Sequence, residues 1–195
     1  APATPSIAIN ASSNNICQGD MVNFTATSTH GGLNPTYTWY INGSLASGSI
    51  GASFSSSSLN NNDVVTCELT SSESCITTCC VLSSGITMTV STPVSPTVSV
   101  SANQNNVCEG TNIVFTASAT NEGASPLYQW KVNGSNVGSN SPSYSSSTLS
   151  NGDMVSVELT SSLSCVTSSS VSSNAVSMTI YALPTVSISP VSYTH

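Results

Sequence analysis

Tyr37-Thr38-Trp39-Tyr40-Ile41-Asn42-Gly43 is the stretch that decides the fold. Tyr37, Trp39 and Ile41 alternate with Thr38 and Tyr40, the period of two that turns successive side chains to opposite faces of a β-strand. Asn42-Gly43 follows without a gap. Both residues tolerate positive φ, so the pair is a strong hairpin-turn signal. The same phrase returns as Tyr128-Gln129-Trp130-Lys131-Val132-Asn133-Gly134, with Tyr128, Trp130 and Val132 as the inward set.

Working outward from the two tryptophans, the repetition covers nearly the whole chain. Ile16-Cys17-Gln18-Gly19-Asp20 returns as Val107-Cys108-Glu109-Gly110-Thr111, and Phe24 falls on Phe115. Beyond Ser44 the second copy is one residue shorter. Leu59, Asp63, Glu68-Leu69-Thr70, Cys75 and Met88 then fall on Leu149, Asp153, Glu158-Leu159-Thr160, Cys165 and Met178. The copies meet at the proline-rich run Ser91–Pro96, which reads as a semi-rigid joint. These matches divide the chain into modules over residues 1–93 and 94–183. Pro184-Thr185-Val186-Ser187-Ile188 repeats Pro96-Thr97-Val98-Ser99-Val100, so residues 184–195 read as a linker or first strand of a following repeat in a longer array.

Two further alternating runs complete each module's core pattern. Val65, Cys67 and Leu69 face inward against Thr66 and Glu68, as do Val155, Val157 and Leu159 in the second copy. Ile86, Met88 and Val90 match Val176, Met178 and Ile180. About seven short strands in some 90 residues, a tryptophan in the third and no helical period describe an all-β fold of tandem immunoglobulin-like sandwiches. Antibody-type domains place an inter-sheet disulfide near Phe24 and Leu69, but both positions are apolar here. Phe24, Trp39 and Leu69, with Phe115, Trp130 and Leu159, are therefore the expected core, each contributing about 1.5–3 kcal/mol by burial.

Composition narrows the function. Lys131 is the only basic residue apart from two histidines, against eight acidic ones, for a net charge of −7. Nucleic-acid binding and attraction to anionic membranes draw on clustered Lys and Arg, so neither is expected. No apolar run approaches 18 residues, so no membrane-inserting helix is expected. Seven cysteines in a chain only 5% charged point to an oxidising, extracellular compartment.

Four cysteines, Cys17, Cys75, Cys108 and Cys165, occur in both copies, and the expectation is Cys17–Cys75 and Cys108–Cys165 disulfides, each stabilising its module by about 4 kcal/mol in the chain-entropy picture. Cys67, Cys79 and Cys80 lack counterparts. Cys67 reads as a small core hydrophobe, with a bridge to Cys79 or Cys80 as the alternative. His30 and His195 read as solvated, and no nucleophile-base pair recurs, so no catalytic residue, metal or cofactor is expected. Asp63 and Asp153 recur as braces of the corner ahead of the Val65–Leu69 run and its counterpart, since a lone carboxylate falls short of the oxygens calcium takes. Asn10, Asn23, Asn42 and Asn133 begin N-x-S/T sequons.

The pattern C-x-G-D-x-V-x-F-T-A, Y-x-W-x-x-N-G, L-x-x-x-D-x-V, second Cys and M-T-V resembles the Ig-like repeats of giant secreted surface proteins of Bacteroidetes, gliding-motility adhesins among them. The resemblance implies a non-catalytic structural or adhesive segment, export by the type IX system and a place at the bacterial cell surface. Expected partners are neighbouring Ig-like repeats or identical subunits in a filament. The alternative is a carbohydrate-binding accessory module of a secreted enzyme, with surface glycans as partners and Tyr40 and Tyr144 as candidate exposed aromatics.

Overall fold

Alternation of β-branched with small hydroxyl residues favours strands over helices, and in the computed structural model, which describes residues 2–46 and 51–188, every regular element is a strand. The chain divides into two units, Ala1–Pro93 and Val94–His195. The first contains β1 (Ser6–Ala11), β2 (Asn15–Cys17), β3 (Val22–Thr29), β4 (Thr36–Ile41), β5 (Ser44–Leu45), β6 (Ser53–Ser56), β7 (Val64–Thr70), β8 (Cys80–Leu82), β9 (Ile86–Thr87) and β10 (Thr89–Ser91). One antiparallel sheet has the order β1-β3-β6; the other has β5-β4-β7-β8, with β9 also on β7. A two-strand parallel pair, β2 with β10, closes one edge.

The second unit repeats this plan through β11 (Thr97–Ala102), β12 (Val107–Cys108), β13 (Ile113–Thr120), β14 (Leu127–Val132), β15 (Ser135–Val137), β16 (Ser143–Ser146), β17 (Met154–Thr160), β18 (Ser170–Ser172), β19 (Val176–Ser177) and β20 (Ile180–Tyr181). Its sheets are β11-β13-β16 and β15-β14-β17-β18, with β19 on β17 and the parallel pair β12–β20. Each unit is an immunoglobulin-like β-sandwich.

The inward positions of facing sheets meet in each module. Phe24 from β3, Trp39 from β4, Phe54 from β6 and Val65 and Cys67 from β7 form one core; Phe115, Trp130, Val155, Val157 and Leu159 belong to the other. Phe24, Trp39, Leu69, Phe115, Trp130 and Leu159 are all 0% exposed. Each indole N–H has an acceptor: Trp39 Nε1 donates to the Gly51 carbonyl at 3.0 Å and Trp130 Nε1 to that of Ser141 at 2.9 Å.

The strand expected over Ile86–Val90 is divided. Met88, fully buried between β9 and β10, donates its N–H to the Asp63 carbonyl at 2.8 Å and accepts from Asn62 at 2.9 Å. That exchange moves the chain from β7 onto β2. Pro184–Ile188 form no strand, Val186 and Ile188 are about nine-tenths exposed, and residues 189–195, including His195, lie outside the described residues.

Strand direction defines two poles in each module. β3 and β7 both start at the corner made by residues 57–63, since Val22 lies opposite Ser56 and Val64 follows Asp63. The chain leaves at this exit pole, where Thr87 pairs with Val64 and β10 follows. It enters at the other end, where Ala3 bridges Ile76 in the loop after β7. Val94 bridges Val166 in the same way in the second module. Seven residues of β7 at ~3.3 Å each hold the poles at least ~20 Å apart.

Candidate functional site

The recurrent polar groups gather at the exit pole and brace it. Asn42 and Gly43 adopt φ of 51° and 76°, as the hairpin turn requires, and Asn133 and Gly134 do the same at 52° and 80°. The turn asparagine has a second task. Asn42 Nδ2 donates to Asp63 Oδ1 at 2.7 Å, while its Oδ1 accepts the Val64 N–H at 2.9 Å. Asp63 Oδ2 accepts the Asn60 N–H at 2.7 Å. The second module reproduces the clamp: Asn133 Nδ2 to Asp153 Oδ1 at 2.8 Å, Met154 N–H to Asn133 Oδ1 at 3.0 Å, and Ser150 N–H to Asp153 Oδ2 at 2.8 Å. The Ser150 N–H and the Asn133 amide hold the Asp153 carboxyl below its usual range. One side-chain pair thus ties the tryptophan hairpin to the corner, each carboxylate occupied by N–H donors.

At the entry pole a glycine permits close approach. Gly32 has φ of 83°; a Cβ there would collide with Ser72 Oγ and lie 2.8 Å from the Glu73 nitrogen. Gly123, at φ 81°, stands in the same relation to Ser162. His30 is half exposed, with Nδ1 3.8 Å from Glu73 Oε2, a surface contact. Among the described residues no group of three or more His, Cys, Asp or Glu is placed to share a metal ion.

The cysteines depart from the expected pairing. Cys17 and Cys165 are disulfide-bonded, whereas Cys67, Cys75, Cys79, Cys80 and Cys108 are free. Neither Cys17–Cys75 nor Cys108–Cys165 is formed. Because β3 and β7 run the same way, a residue just before β3 and one just after β7 lie at opposite poles. Cys17 faces Ser91 across the β2–β10 pair, while the Cys75 carbonyl accepts the Ala3 N–H at 3.0 Å. Cys108 faces Tyr181, and the Cys165 carbonyl accepts from Val94 at 3.1 Å. A disulfide needs Cα atoms within about 7 Å, far less than the pole separation.

Cys67 occupies the core position that Val157 fills in the other module; it is fully buried, and burial pushes its thiol up to about 11. No bridge joins it to Cys79 or Cys80, whose sulfurs lie 3.0 Å from each other. The aromatic side chains of β6 and β16 point inward. Tyr144 stacks on Phe115 and Trp130 as Phe54 stacks on Phe24 and Trp39. Tyr40 is half-buried and donates to Glu68 at 3.0 Å; Lys131, its counterpart, pairs with Glu158 at 2.7 Å. Among the described residues Tyr181 is the one exposed aromatic.

No family model and no curated protein matches the chain. Solved structures do resemble it. A Ca2+-stabilised adhesin that helps an Antarctic bacterium reach out and bind ice is 17% identical, with a TM-score of 0.59 over 94% of this chain and 50% of that one. This chain therefore spans half the length of that adhesin's chain. Fibronectin(III)-like modules of Clostridium thermocellum CbhA are 15% identical at a TM-score of 0.43, over 88% of this chain and 94% of theirs. Tandem Ig repeats of Dlar are 14% identical at 0.31, over 92% and 98%. At such identities the likeness to the adhesin is one of fold.

Proposed function

We propose that the chain is a non-catalytic spacer segment of a long extracellular protein of the bacterial surface, an adhesin stalk or filament that provides reach and resists tension. The observation that carries this reading is the course of the chain, which enters each module at one pole and leaves at the other beside a parallel strand pair. Pulling on the ends of the first module drags β2, through β1, toward the entry pole and β10 toward the exit pole. Parallel neighbours pulled in opposite directions are loaded in shear, so their hydrogen bonds, including Thr89 N to Asn14 O at 2.7 Å and Gln18 N to Ser91 O at 2.9 Å, share the load and fail together.

The single cation in a chain with eight carboxylates agrees with an exported surface segment, and the sequence resemblance to secreted Bacteroidetes repeats supplies the bacterial setting and the type IX route. Among the described residues the inward turn of Trp39, Trp130, Phe54 and Tyr144 leaves Tyr181 as the one exposed aromatic, a small surface for sugar stacking, which favours the spacer over a carbohydrate-binding module.

Single-molecule extension of the chain in reductant tests the reading. Two abrupt events are expected, each releasing roughly 250–300 Å, the extended length of about 90 residues less the folded module. Smooth extension without such events would remove the spacer reading.

A further inference from the structure

Each module carries one recurrent cysteine at either pole, and the two modules differ in how these are used. At the exit pole Cys17 is bonded and Cys108 free; at the entry pole Cys165 is bonded and Cys75 free. The bonded residues are half-buried and their free counterparts are exposed. Equivalent positions thus already take part in disulfide chemistry once each, in the same surroundings of pinned backbone. The carbonyls of Cys75 and Cys165 accept from Ala3 and Val94, and the strands of Cys17 and Cys108 pair in parallel with β10 and β20. The other free thiols do not share these features: Cys67 is buried, and Cys79 and Cys80 have no counterparts in the second module.

We propose that the exposed thiols of Cys108 and Cys75 are the complementary halves of a head-to-tail disulfide, Cys108 of one copy of this chain bonding to Cys75 of a second copy. The inference rests on the spacer reading and gives it a covalent means of joining successive links. The oxidant is a small disulfide such as oxidised glutathione. One cysteine thiolate attacks it, releasing one glutathione and leaving a mixed disulfide. The second cysteine thiolate displaces the other glutathione, so two protein thiols become one disulfide and both their protons end on two glutathione thiols.

The test uses the purified 195-residue chain in a glutathione redox buffer, followed by non-reducing electrophoresis and peptide mass mapping. The unaltered chain is expected to give a ladder of dimers, trimers and higher species that dithiothreitol collapses, with a linked Cys75–Cys108 peptide. Cys75→Ser alone and Cys108→Ser alone are each expected to stay monomeric, whereas an equal mixture of the two stops at the dimer. Cys79→Ser and Cys80→Ser are expected to leave the ladder intact.

Dimers from either single-pole variant alone, a ladder lost with Cys79 or Cys80, or a chain that stays monomeric would each overturn the proposal. A monomeric result alongside two normal extension events in reductant would discard the head-to-tail link and leave the spacer reading standing.

Discussion

Replacing Asp63 by alanine tests whether the exit pole is held by a side-chain clamp or by strand pairing alone. The carboxylate is 9% exposed and accepts two short hydrogen bonds, from the Asn42 amide and the Asn60 N–H, both at 2.7 Å. Hydrogen bonds to a charged acceptor contribute about 1.5–3 kcal/mol each, and removing the acceptor strands both donors. The two bonds share one anchor and do not add in full, so the expected loss is about 2–4 kcal/mol. Guanidinium unfolding of a Trp130→Phe background, followed by Trp39 fluorescence, reads the first module alone. Asn42→Ala is expected to cost a similar amount, because it frees the Val64 N–H as well. The double variant should cost less than the two single losses together, by about 1–2 kcal/mol of coupling. A loss below about 0.5 kcal/mol for Asp63→Ala, or strict additivity with Asn42→Ala, would refute the clamp.

Gly32→Ala and Gly123→Ala each place a side chain at φ above 80° and against a serine of the neighbouring loop, so losses above about 1–3 kcal/mol are expected by thermal melting. Cys67→Val copies the residue at position 157 and leaves the Ser83 Oγ bond to the residue 67 backbone N–H in place, so stability should move by less than about 1 kcal/mol. In the native chain a thiol reagent is expected to modify the exposed Cys75 and Cys108 readily and the buried Cys67 only after unfolding, as thiol counting with and without denaturant would record. The Asp153 carboxyl sits lower folded than unfolded. Its contribution to stability is therefore present above the unfolded value near 3.9 and lost as pH falls through the lowered folded value, and Asp153→Asn should flatten that acid limb in pH-dependent melts.

The strands were legible because each alternating run faces one sheet of the same sandwich: Val65, Cys67 and Leu69 on β7 are all fully buried, as the period of two requires. Asn42-Gly43 was legible as a turn for the same local reason. Its side-chain bond to Asp63 was not, since that pairing joins residues 21 apart and depends on the sandwich closing. Phe54 and Tyr144 were left out of the expected core, Tyr144 standing as a candidate exposed aromatic, because they lie in short, serine-rich strands where one aromatic among hydroxyls carries little periodic signal. The cysteine pairing failed at a deeper level. Recurrence in both copies singled out Cys17 and Cys165, which are bonded, together with Cys75 and Cys108, which are free, and recurrence cannot distinguish a pair within a module from residues at opposite poles. Only the shared direction of β3 and β7 separates Cys17 from Cys75.

Each module carries the chain from pole to pole. The most direct test is a distance: spin labels at Ala3→Cys and Thr92→Cys, in a chain whose native cysteines are replaced by Ser or, at Cys67, by Val, measured by double electron–electron resonance. β1 and β2 run from the entry side to the exit side over some eleven residues, so a single distance of roughly 30–40 Å is expected. A distance below about 20 Å would place entry and exit at the same end and contradict the spacer reading and the head-to-tail link together.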